Sequence, residues 1–390
     1  MESIKRISAD QLMVGMYVTE KTEGLGQSKG LNKSGFIKRE ETILKVLASG
    51  IEEVWIDVSK CIDSAFARPI VVEEITLEPV VALEEEMDRA TQIHKEALGV
   101  VDDIYQNVKM GKAIDIASTE QLAEDISGSV GRNKNALLCL SQIRDKDQYL
   151  LEHSVNVAVL INIFATYLGY EQDTINQLVT GALLHDIGKI RVPDEILNKT
   201  GELTPAEQAE MRCHVEYGQQ ALENTKDISD VVISICAQHH ERLDGKGYPQ
   251  GLDNNSINTF GRMASIVDIY DKLTAARPNS KGMVPFKAMQ SLSKLGGVQL
   301  DKELVYSFIR CMGIYPVGAL VELNNGRMGV VVESRVDKPN QPSVRIFYNT
   351  RQKCYEPAKT VDLSSPLIDI EISGVAAPDN YGVEIRDFLI

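Results

Sequence analysis

Seven side chains able to bind a metal ion recur at similar intervals along the middle of the chain. Five of the six histidines fall between residues 153 and 240, and two aspartates accompany them. The seven residues are His153, His185, Asp186, His214, His239, His240 and Asp268. Intervals of 25 to 32 residues separate the successive groups, about the length of one helix with its connection. Neighbouring helices of a bundle could therefore each deliver a ligand to one centre.

Imidazole nitrogens and carboxylate oxygens together suit manganese, iron or zinc, and seven such groups exceed the needs of one ion. Two divalent transition metal ions that share a bridging carboxylate are the expected number, with iron or manganese favoured. The alternative for any single histidine is an ordinary core or surface residue. The apolar context argues against that alternative, because His185 and Asp186 follow Ala182-Leu-Leu184 and would be costly to bury without a partner.

The elements that must position these side chains are mostly helices. From residue 150 to about residue 312 the hydrophobic period is helical, and we expect each of the five histidines to lie on a helix. The segment Thr204-Pro-Ala-Glu207 predicts a capping box at the start of the helix that carries His214. After Pro316 the period changes to two, with a turn at Asn324-Asn-Gly326, which predicts a small antiparallel β module.

Two further segments precede the bundle. Residues 1 to about 70 mix short alternating runs with a helix-like stretch from Glu40 to Ala48. Between residues 83 and 148 the pattern is helical and charged, with breaks at Gly99, Gly111 and Gly128-Ser-Val-Gly131. The expected fold is mainly α, a helical bundle with a small α+β N-terminal domain and a C-terminal antiparallel β module. The expected domains are an α+β accessory domain at 1–70, an acidic connector and helical linker at 71–148, a catalytic helical domain at 149–313 and a β module at 314–390.

Composition and charge narrow the class of function. The chain has 41 basic and 56 acidic residues and a formal net charge of −15, so general nucleic-acid binding is not expected. The six cysteines form no C-x-x-C pair and the first residues lack a signal-peptide apolar core, which predicts a cytoplasmic protein. The most apolar stretch, from Val155 to Leu168, is interrupted by polar residues, so no membrane span is expected.

Two runs of sequence resemble a known family. Leu184-His-Asp-Ile-Gly-Lys189 resembles the signature of the HD-domain metal phosphohydrolases. The longer run from His239 to Leu252 is similar to the HHExxDGxGYPxGL motif of the HD-GYP subfamily, the bacterial cyclic di-GMP phosphodiesterases. The resemblance is strong from about residue 150 to residue 312, and the flanking regions look like those of one HD-GYP subgroup. It implies a helical HD-type bundle that hydrolyses cyclic di-GMP.

The resemblance also implies how the ligands divide. One metal would be held by His153, His185, Asp186 and Asp268, and the other by Asp186, His214, His239 and His240. Asp186 would then be the bridge. Some members bind a third metal through a glutamate four residues before the first histidine. Tyr149 occupies that position here, which argues against a third metal.

Further positions correspond to substrate contacts of the family. Lys189 resembles the lysine that faces the phosphate, where a cation would offset developing charge; the alternative is a lysine favoured at a helix C-terminus. Tyr248 would contact a guanine or a protein partner, or serve only in a structural turn. Arg277-Pro-Asn-Ser-Lys281 looks like the substrate-binding stretch, with Arg277 and Lys281 as contacts and Ser280 where a lysine is usual. Asp271 is expected to orient a ligand or pair with a base rather than bind metal.

The expected activity is hydrolysis of cyclic di-GMP to linear pGpG by a hydroxide that bridges two metals, with Asp186 and Lys189 as the catalytic residues. Further cleavage to GMP stays open. One alternative is an HD-type hydrolase of another nucleotide or cyclic dinucleotide. The other is a signalling scaffold that binds a diguanylate cyclase without turnover. Contact with diguanylate cyclase proteins through the GYP loop, and a homodimer, are compatible with the activity.

Overall fold

The structure is a computed structural model, and it describes residues 4–8, 17–19, 35–36, 53–57, 78–143, 148–275, 282–335, 338–376, 381–383 and 385–389. Two compact units make up the chain, Met1–Ile75 and Thr76–Ile390. In the first unit, four short strands form one sheet in the order β1-β4-β2-β3. They are β1 (Ile4–Ser8), β2 (Tyr17–Val18), β3 (Gly35–Phe36) and β4 (Glu53–Asp57). The helix expected from Glu40 to Ala48 lies outside the described residues.

The second unit begins with the helices that form the bundle. They are α1 (Leu83–Lys109), α2 (Ile116–Leu140), α3 (Tyr149–Tyr167), α4 (Gln172–Leu184), α5 (Asp194–Leu197), α6 (Pro205–Arg212), α7 (His214–Glu223), α8 (Asp230–Gln238), α9 (Thr259–Thr274), α10 (Pro285–Leu295) and α11 (Lys302–Met312). A short 3-10 turn, Ile187–Arg191, follows α4. The mainly α fold class and the HD-type bundle are confirmed.

Of the helix breaks expected from glycine, the one at Gly99 is wrong, because this residue lies inside α1. The one at residues 128–131 is displaced: Gly128 and Gly131 are helical, and α2 is kinked two residues later at Asn133, which has non-helical dihedral angles. An interior glycine costs a helix only about 1 kcal/mol. The apolar faces that α1 and α2 bury against the bundle outweigh that cost. The break at Gly111 is confirmed, and this residue has the positive φ of 72° that glycine adopts without strain.

The histidines lie mostly at helix ends, which the sequence did not predict. His153 is inside α3, but His185 and His239 follow the last residues of α4 and α8. The capping box of Thr204 and Glu207 is confirmed, but the helix it opens ends at Arg212. His214 therefore begins the next helix, α7.

The β module is confirmed as one antiparallel sheet. Its strands are β5 (Leu320–Leu323), β6 (Arg327–Glu333), β7 (Ser343–Asn349), β8 (Cys354–Asp362) and β9 (Ile372–Val375). They are ordered β8-β7-β6-β5-β9, and the expected turn at residues 324–326 joins β5 to β6. Val321, Val331 and Val344 belong to the apolar core of this sheet. The Ser334 amide donates to Asn135 Oδ1 at 3.2 Å, which joins the module to the end of α2.

Helix α3 is the most apolar helix of the bundle and carries the first predicted ligand. It is the one described helix whose length and mean hydropathy of 1.3 would suffice to cross a membrane. In the fold it packs against α4, and 78% of its most apolar window is buried inside the protein. Its apolar residues form part of the bundle core, and His153 is buried among them.

Candidate metal centre

The fold brings all seven predicted ligands together around Asp186. Its two carboxylate oxygens face two different pairs of imidazoles. Asp186 Oδ2 lies 3.2 Å from His185 Nε2 and 3.4 Å from His153 Nε2. Asp186 Oδ1 lies 3.3 Å from His214 Nε2 and 3.7 Å from His239 Nε2. This is the arrangement that a carboxylate needs to bridge two ions.

Asp268 approaches the same centre from α9. Its Oδ1 lies 3.0 Å from His153 Nε2 and 3.7 Å from His185 Nε2, and its Oδ2 lies 3.9 Å from His240 Nδ1. Two sets of possible ligand atoms each fall within 4.8 Å of one another. These sets are His153, His185 and Asp186, and Asp186, His214, His239 and His240. The second set has the four members expected for one ion, and the first has three of the four expected for the other, without Asp268.

Hydrogen bonds to helix-end carbonyls orient three of the imidazoles. His185 Nδ1 donates to the Ala182 carbonyl at 2.6 Å, His214 Nδ1 to the Met211 carbonyl at 2.6 Å and His239 Nδ1 to the Cys236 carbonyl at 2.8 Å. The last carbonyls of a helix have no partner within it, so they are available as acceptors. Each bond fixes the tautomer and leaves the Nε2 lone pair directed to Asp186. The placement at helix ends thus has a chemical consequence.

His153 lies in the middle of α3 and is oriented differently. Its Nδ1 donates to Asp271 Oδ2 at 2.7 Å, and both side chains are fully buried. Asp271 therefore orients a ligand, as the sequence predicted. Although burial opposes protonation, contacts with Asp186, Asp268 and Asp271 raise the pKa of His153 to about 9. A metal ion binding at Nε2 has to displace that proton.

The unsatisfied atoms of the centre fit a metal. Four histidine Nε2 atoms of the centre, and one oxygen each of Asp186 and Asp268, are buried without a hydrogen bond of good geometry. They belong to His153, His185, His214, His239, Asp186 and Asp268. Leaving so many polar atoms unpaired in a protein interior costs a few kcal/mol for each one. Divalent ions would satisfy them together, and the mixed nitrogen and oxygen donors suit transition metals.

The protonation states of Asp186, His239 and His240 suit metal binding, in contrast to that of His153. Burial by itself would raise the pKa of Asp186, but Lys189 and His185 hold that pKa well below its ordinary value. Burial lowers the pKa of His239 to about 4. Burial, followed by the charge of Lys272, lowers the pKa of His240. The bridging carboxylate is therefore ionised and these two imidazoles are neutral at pH 7, which are the forms that bind metal.

Lys189 reaches the centre from the 3-10 turn that follows His185 and Asp186. Its ammonium lies 2.5 Å from Asp186 Oδ2. The turn approaches α7 closely because residue 188 is glycine: a Cβ there would clash with the His214 carbonyl and the Gly218 amide. The Gly188 contact therefore brings Asp186 and Lys189 against His214.

The GYP loop, residues 244–252, is held by contacts whose roles the sequence did not reveal. The buried Glu241 carboxylate accepts the amides of Gln250, Gly251 and Leu252 at 2.8, 3.2 and 2.9 Å. A Cβ at Gly247 would clash with the backbone of residues 241 and 242. These contacts give the loop a defined conformation. The sequence alone did not predict it, because Glu241 lies 9 to 11 residues from the amides that it accepts.

The loop presents Tyr248 beside one predicted ligand. The Tyr248 ring lies 4.6 Å from the His240 ring, centroid to centroid. The Arg212 guanidinium lies over the Tyr248 ring, 5.0 Å from its centroid. Burial raises the pKa of the Tyr248 hydroxyl, so it is protonated at pH 7. The predicted contacts Arg277 and Lys281 lie outside the described residues.

Three further residues near the centre were missed by sequence reasoning. Lys272 lies one helical turn after Asp268, a spacing that signals contact on one helix face. His94 and Tyr105 come from α1, which was expected only to connect domains. His94 Nε2 lies 3.3 Å from Glu152 Oε2, next to His153, and burial together with the charge of Asp186 raises the pKa of Tyr105.

Comparison with known proteins defines the class first. The family model described as "HD domain" matches residues 138–304, the bundle that contains the seven ligands. The model described as "KOW domain associated with HD domain" matches residues 320–370, and a domain of unknown function, DUF3391, matches residues 4–119. The fold and the centre are thus those of an HD domain with two flanking modules.

The relatives define the family. The chain is 36% identical over 369 residues to the cyclic di-GMP phosphodiesterase PA4108 of Pseudomonas aeruginosa, with 92% of this chain and 89% of that protein covered. This protein belongs to the HD-GYP family. The solved structure of Bd1817, an HDG"Y"P protein of Bdellovibrio bacteriovorus, has a TM-score of 0.50 at 18% identity and covers 78% of this chain and 98% of its own. That likeness supports the fold.

Two more relatives match less than half of this chain. A cyclic di-GMP phosphodiesterase of Thermotoga maritima is 33% identical over 172 residues, 44% of this chain and 46% of that protein. The 3'3'-cGAMP-specific phosphodiesterase 3 of Vibrio cholerae is 32% identical over 171 residues, 44% of this chain and 37% of that protein. The chain therefore spans less than half the length of these two relatives.

Proposed function

We propose that this protein hydrolyses cyclic di-GMP to linear pGpG by a two-metal mechanism. The observation that carries the proposal is the position of Asp186, whose two oxygens face two separate pairs of imidazoles at 3.2 to 3.7 Å. The relative that matches 92% of the chain is named a cyclic di-GMP phosphodiesterase, which supports the choice of substrate.

Two sets of side chains would hold the ions, with Asp186 common to both. One set is His153, His185, Asp186 and Asp268, and the other is Asp186, His214, His239 and His240. When bound, two divalent ions supply Lewis-acid stabilisation of phosphoryl charge and lower the pKa of a water nucleophile.

The chain's own residues orient the reacting groups. His185, His214 and His239 are held by backbone hydrogen bonds, so little reorganisation is needed when the centre is filled. The Lys189 ammonium lies beside Asp186 with its side chain 12% exposed. From that position it can contact a phosphoryl oxygen and stabilise its developing charge.

A different cyclic dinucleotide is the second candidate substrate, because relatives from Vibrio cholerae that match 44% and 37% of this chain are named 3'3'-cGAMP-specific phosphodiesterases. A scaffold role without turnover would leave the same centre intact. Contact with diguanylate cyclase proteins, a homodimer and a cytoplasmic location are further proposals that follow from the sequence alone.

One experiment separates these candidates. The purified protein would be analysed for metal by mass spectrometry and incubated with cyclic di-GMP or 3'3'-cGAMP, with pGpG and GMP separated by chromatography. We expect about two transition metal ions per chain and faster conversion of cyclic di-GMP to pGpG. The double variant His185→Ala, Asp186→Ala should lose both metal and activity, because the shared carboxylate and a principal imidazole are removed.

The matched control is Asp103→Ala on the exposed face of α1, which should keep metal and activity. Full turnover by the metal-free double variant would refute the mechanism. Metal binding without cleavage of either dinucleotide would favour the scaffold, and preference for 3'3'-cGAMP would change the substrate.

A further inference from the structure

Lys272 contacts one ligand from each predicted metal set. It lies on α9, four residues after Asp268, and its ammonium is 2.7 Å from Asp268 Oδ2. The same nitrogen is 3.5 Å from His240 Nε2. Neither the HD run nor the GYP run of the sequence includes this position. Its place at the centre is therefore additional to the predicted site.

The predicted centre opens to solvent on the side of His240. Six of the seven ligand side chains are at most 2% exposed, whereas the His240 side chain is 15% exposed. The Lys272 side chain, in contact with His240, is 23% exposed, and that of Lys189 is 12% exposed. A molecule that reaches the centre at His240 therefore meets Lys272.

Charge indicates what kind of molecule Lys272 can accept. The three buried carboxylates at the centre, Asp186, Asp268 and Asp271, carry three negative charges. Two divalent ions with Lys189 and Lys272 carry six positive charges. The filled centre thus has a surplus of three positive charges, or two once a hydroxide is bound, and a cation beside divalent ions is repelled unless an anion joins them. An incoming phosphodiester supplies such an anion.

The alternative is that Lys272 only neutralises Asp268. The Asp268 side chain is only 1% exposed, so a lysine beside it offsets the charge of a buried carboxylate. Asp268 also contacts His153 and His185 through its other oxygen, so it has partners besides the lysine. A lysine side chain has four rotatable carbon bonds, and rotation about them can move its ammonium from Asp268 to a ligand at the opening.

We propose that Lys272 is a catalytic residue that contacts a non-bridging oxygen of the cyclic dinucleotide's phosphodiester at the His240 opening. This proposal rests on the proposed function, since it names a contact to the substrate of the same centre. The contact forms when the substrate binds and persists in the transition state. It therefore lowers KM rather than raising kcat.

Three variants test the proposal in the full-length, metal-loaded protein: Lys272→Met, Lys272→Arg and the control Lys287→Met on the exposed face of α10. Metal content, KM and kcat for cyclic di-GMP would be measured with the dissociation constant of its hydrolysis-resistant phosphorothioate analogue. For Lys272→Met we expect unchanged metal content, a KM and a dissociation constant raised by about 10- to 100-fold, and kcat within about threefold. Lys272→Arg should recover most of the affinity, and its KM should keep the wild-type salt dependence.

The outcomes distinguish the two proposals. If the wild-type protein neither cleaves cyclic di-GMP nor binds the analogue, the proposed function fails. The inference on Lys272 fails separately if the wild-type protein does both and the folded, metal-loaded Lys272→Met variant has the wild-type KM and dissociation constant. Lys272 would then be only a counter-ion. The Lys272→Met variant could instead lose metal and regain a wild-type KM once the metal is restored. That result would also overturn the inference.

Discussion

The direction of each imidazole at this centre follows from a hydrogen bond on its far side. His185, His214 and His239 use carbonyls at helix ends, whereas His153 uses the Asp271 carboxylate at 2.7 Å. A carboxylate partner increases the basicity of the imidazole and fixes its ring. Removing it should weaken metal binding without removing a ligand.

We therefore predict that Asp271→Asn lowers metal affinity by about 10- to 100-fold. The measurement is a competition between the protein and a chelator of known affinity, followed by metal analysis. Asp103→Asn, on the exposed face of α1, is the control and should match the wild type. Equal metal affinity for Asp271→Asn and the wild-type protein would show that Asp271 has only a packing role.

At the scale of elements, close approach decides whether the ligands meet. Residues 187–191 lie against α7 because Gly188 has no side chain, and this contact brings Asp186 to His214. The glycine thus allows the close packing on which the position of Asp186 depends.

Gly188→Ala should push the 3-10 turn away from α7, because the added Cβ meets backbone atoms that cannot rotate away. We expect a loss of about 3 kcal/mol in the free energy of unfolding, together with reduced metal content. Urea unfolding and metal analysis measure both. Gly201→Ala has open space around its Cβ and should change neither quantity. A stable, fully metal-loaded Gly188→Ala variant would contradict this account.

Helices α1 and α2 are joined by a buried acidic side chain. Arg132 donates from Nε to Glu86 Oε2 at 2.7 Å and from Nη2 to Oε1 at 2.8 Å, and Ser129 adds a bond at 2.8 Å. Burial would raise the pKa of Glu86, but these partners lower it below its ordinary value. The unfolded chain therefore binds the proton more tightly at this carboxyl than the folded chain does.

This shift predicts the pH dependence of stability. The contribution of ionised Glu86 is fully present above the unfolded pKa of about 4.3 and is lost as the pH falls through the lower folded-state pKa. Glu86→Gln should cost about 1 to 3 kcal/mol at pH 7, and the difference from wild type should shrink below pH 4. Urea unfolding from pH 7 to pH 3.5 measures it, with the exposed Glu85→Gln as control. A difference that stays constant over this range would exclude the ionised pair as its source.

At the scale of the whole molecule, a chain with a net charge of −15 buries three carboxylates at one centre. The seven ligands come from α3, α9 and the ends of four other segments, so metal binding joins parts of the chain more than 100 residues apart. An ion that binds only the folded chain stabilises it by mass action. We therefore expect chelation to lower the melting temperature of the whole second unit.

The number of ions is a separate prediction. The Tyr149 ring stacks on His153 at 5.8 Å, where a carboxylate would be needed for a third ion. Metal analysis and anomalous scattering should show two sites in the wild-type protein, and Tyr149→Glu is expected to create a third. Tyr149→Phe keeps the ring and should keep two. Three fully occupied sites in the wild-type protein would show that another side chain replaces the missing carboxylate.

The residues that meet at the centre, the helical bundle and the β module could be predicted from sequence, because residue type, hydrophobic period and turn residues are local properties of the chain. His153, His185 and Asp186 were named from their types, intervals and motif alone. The period of two after Pro316 likewise predicted the strands that form the C-terminal sheet.

Tertiary structure alone decided which atoms meet. That Asp186 turns one oxygen to each imidazole pair depends on the approach of the 3-10 turn to α7, and the position of Lys272 depends on how α9 faces His240. Tertiary packing also explains why α1 continues through Gly99. Burial of the apolar face of α1 outweighs the cost of about 1 kcal/mol that an interior glycine imposes on a helix. Contacts between residues distant in sequence leave no periodic signal in one chain, so their geometry emerges only when the helices pack.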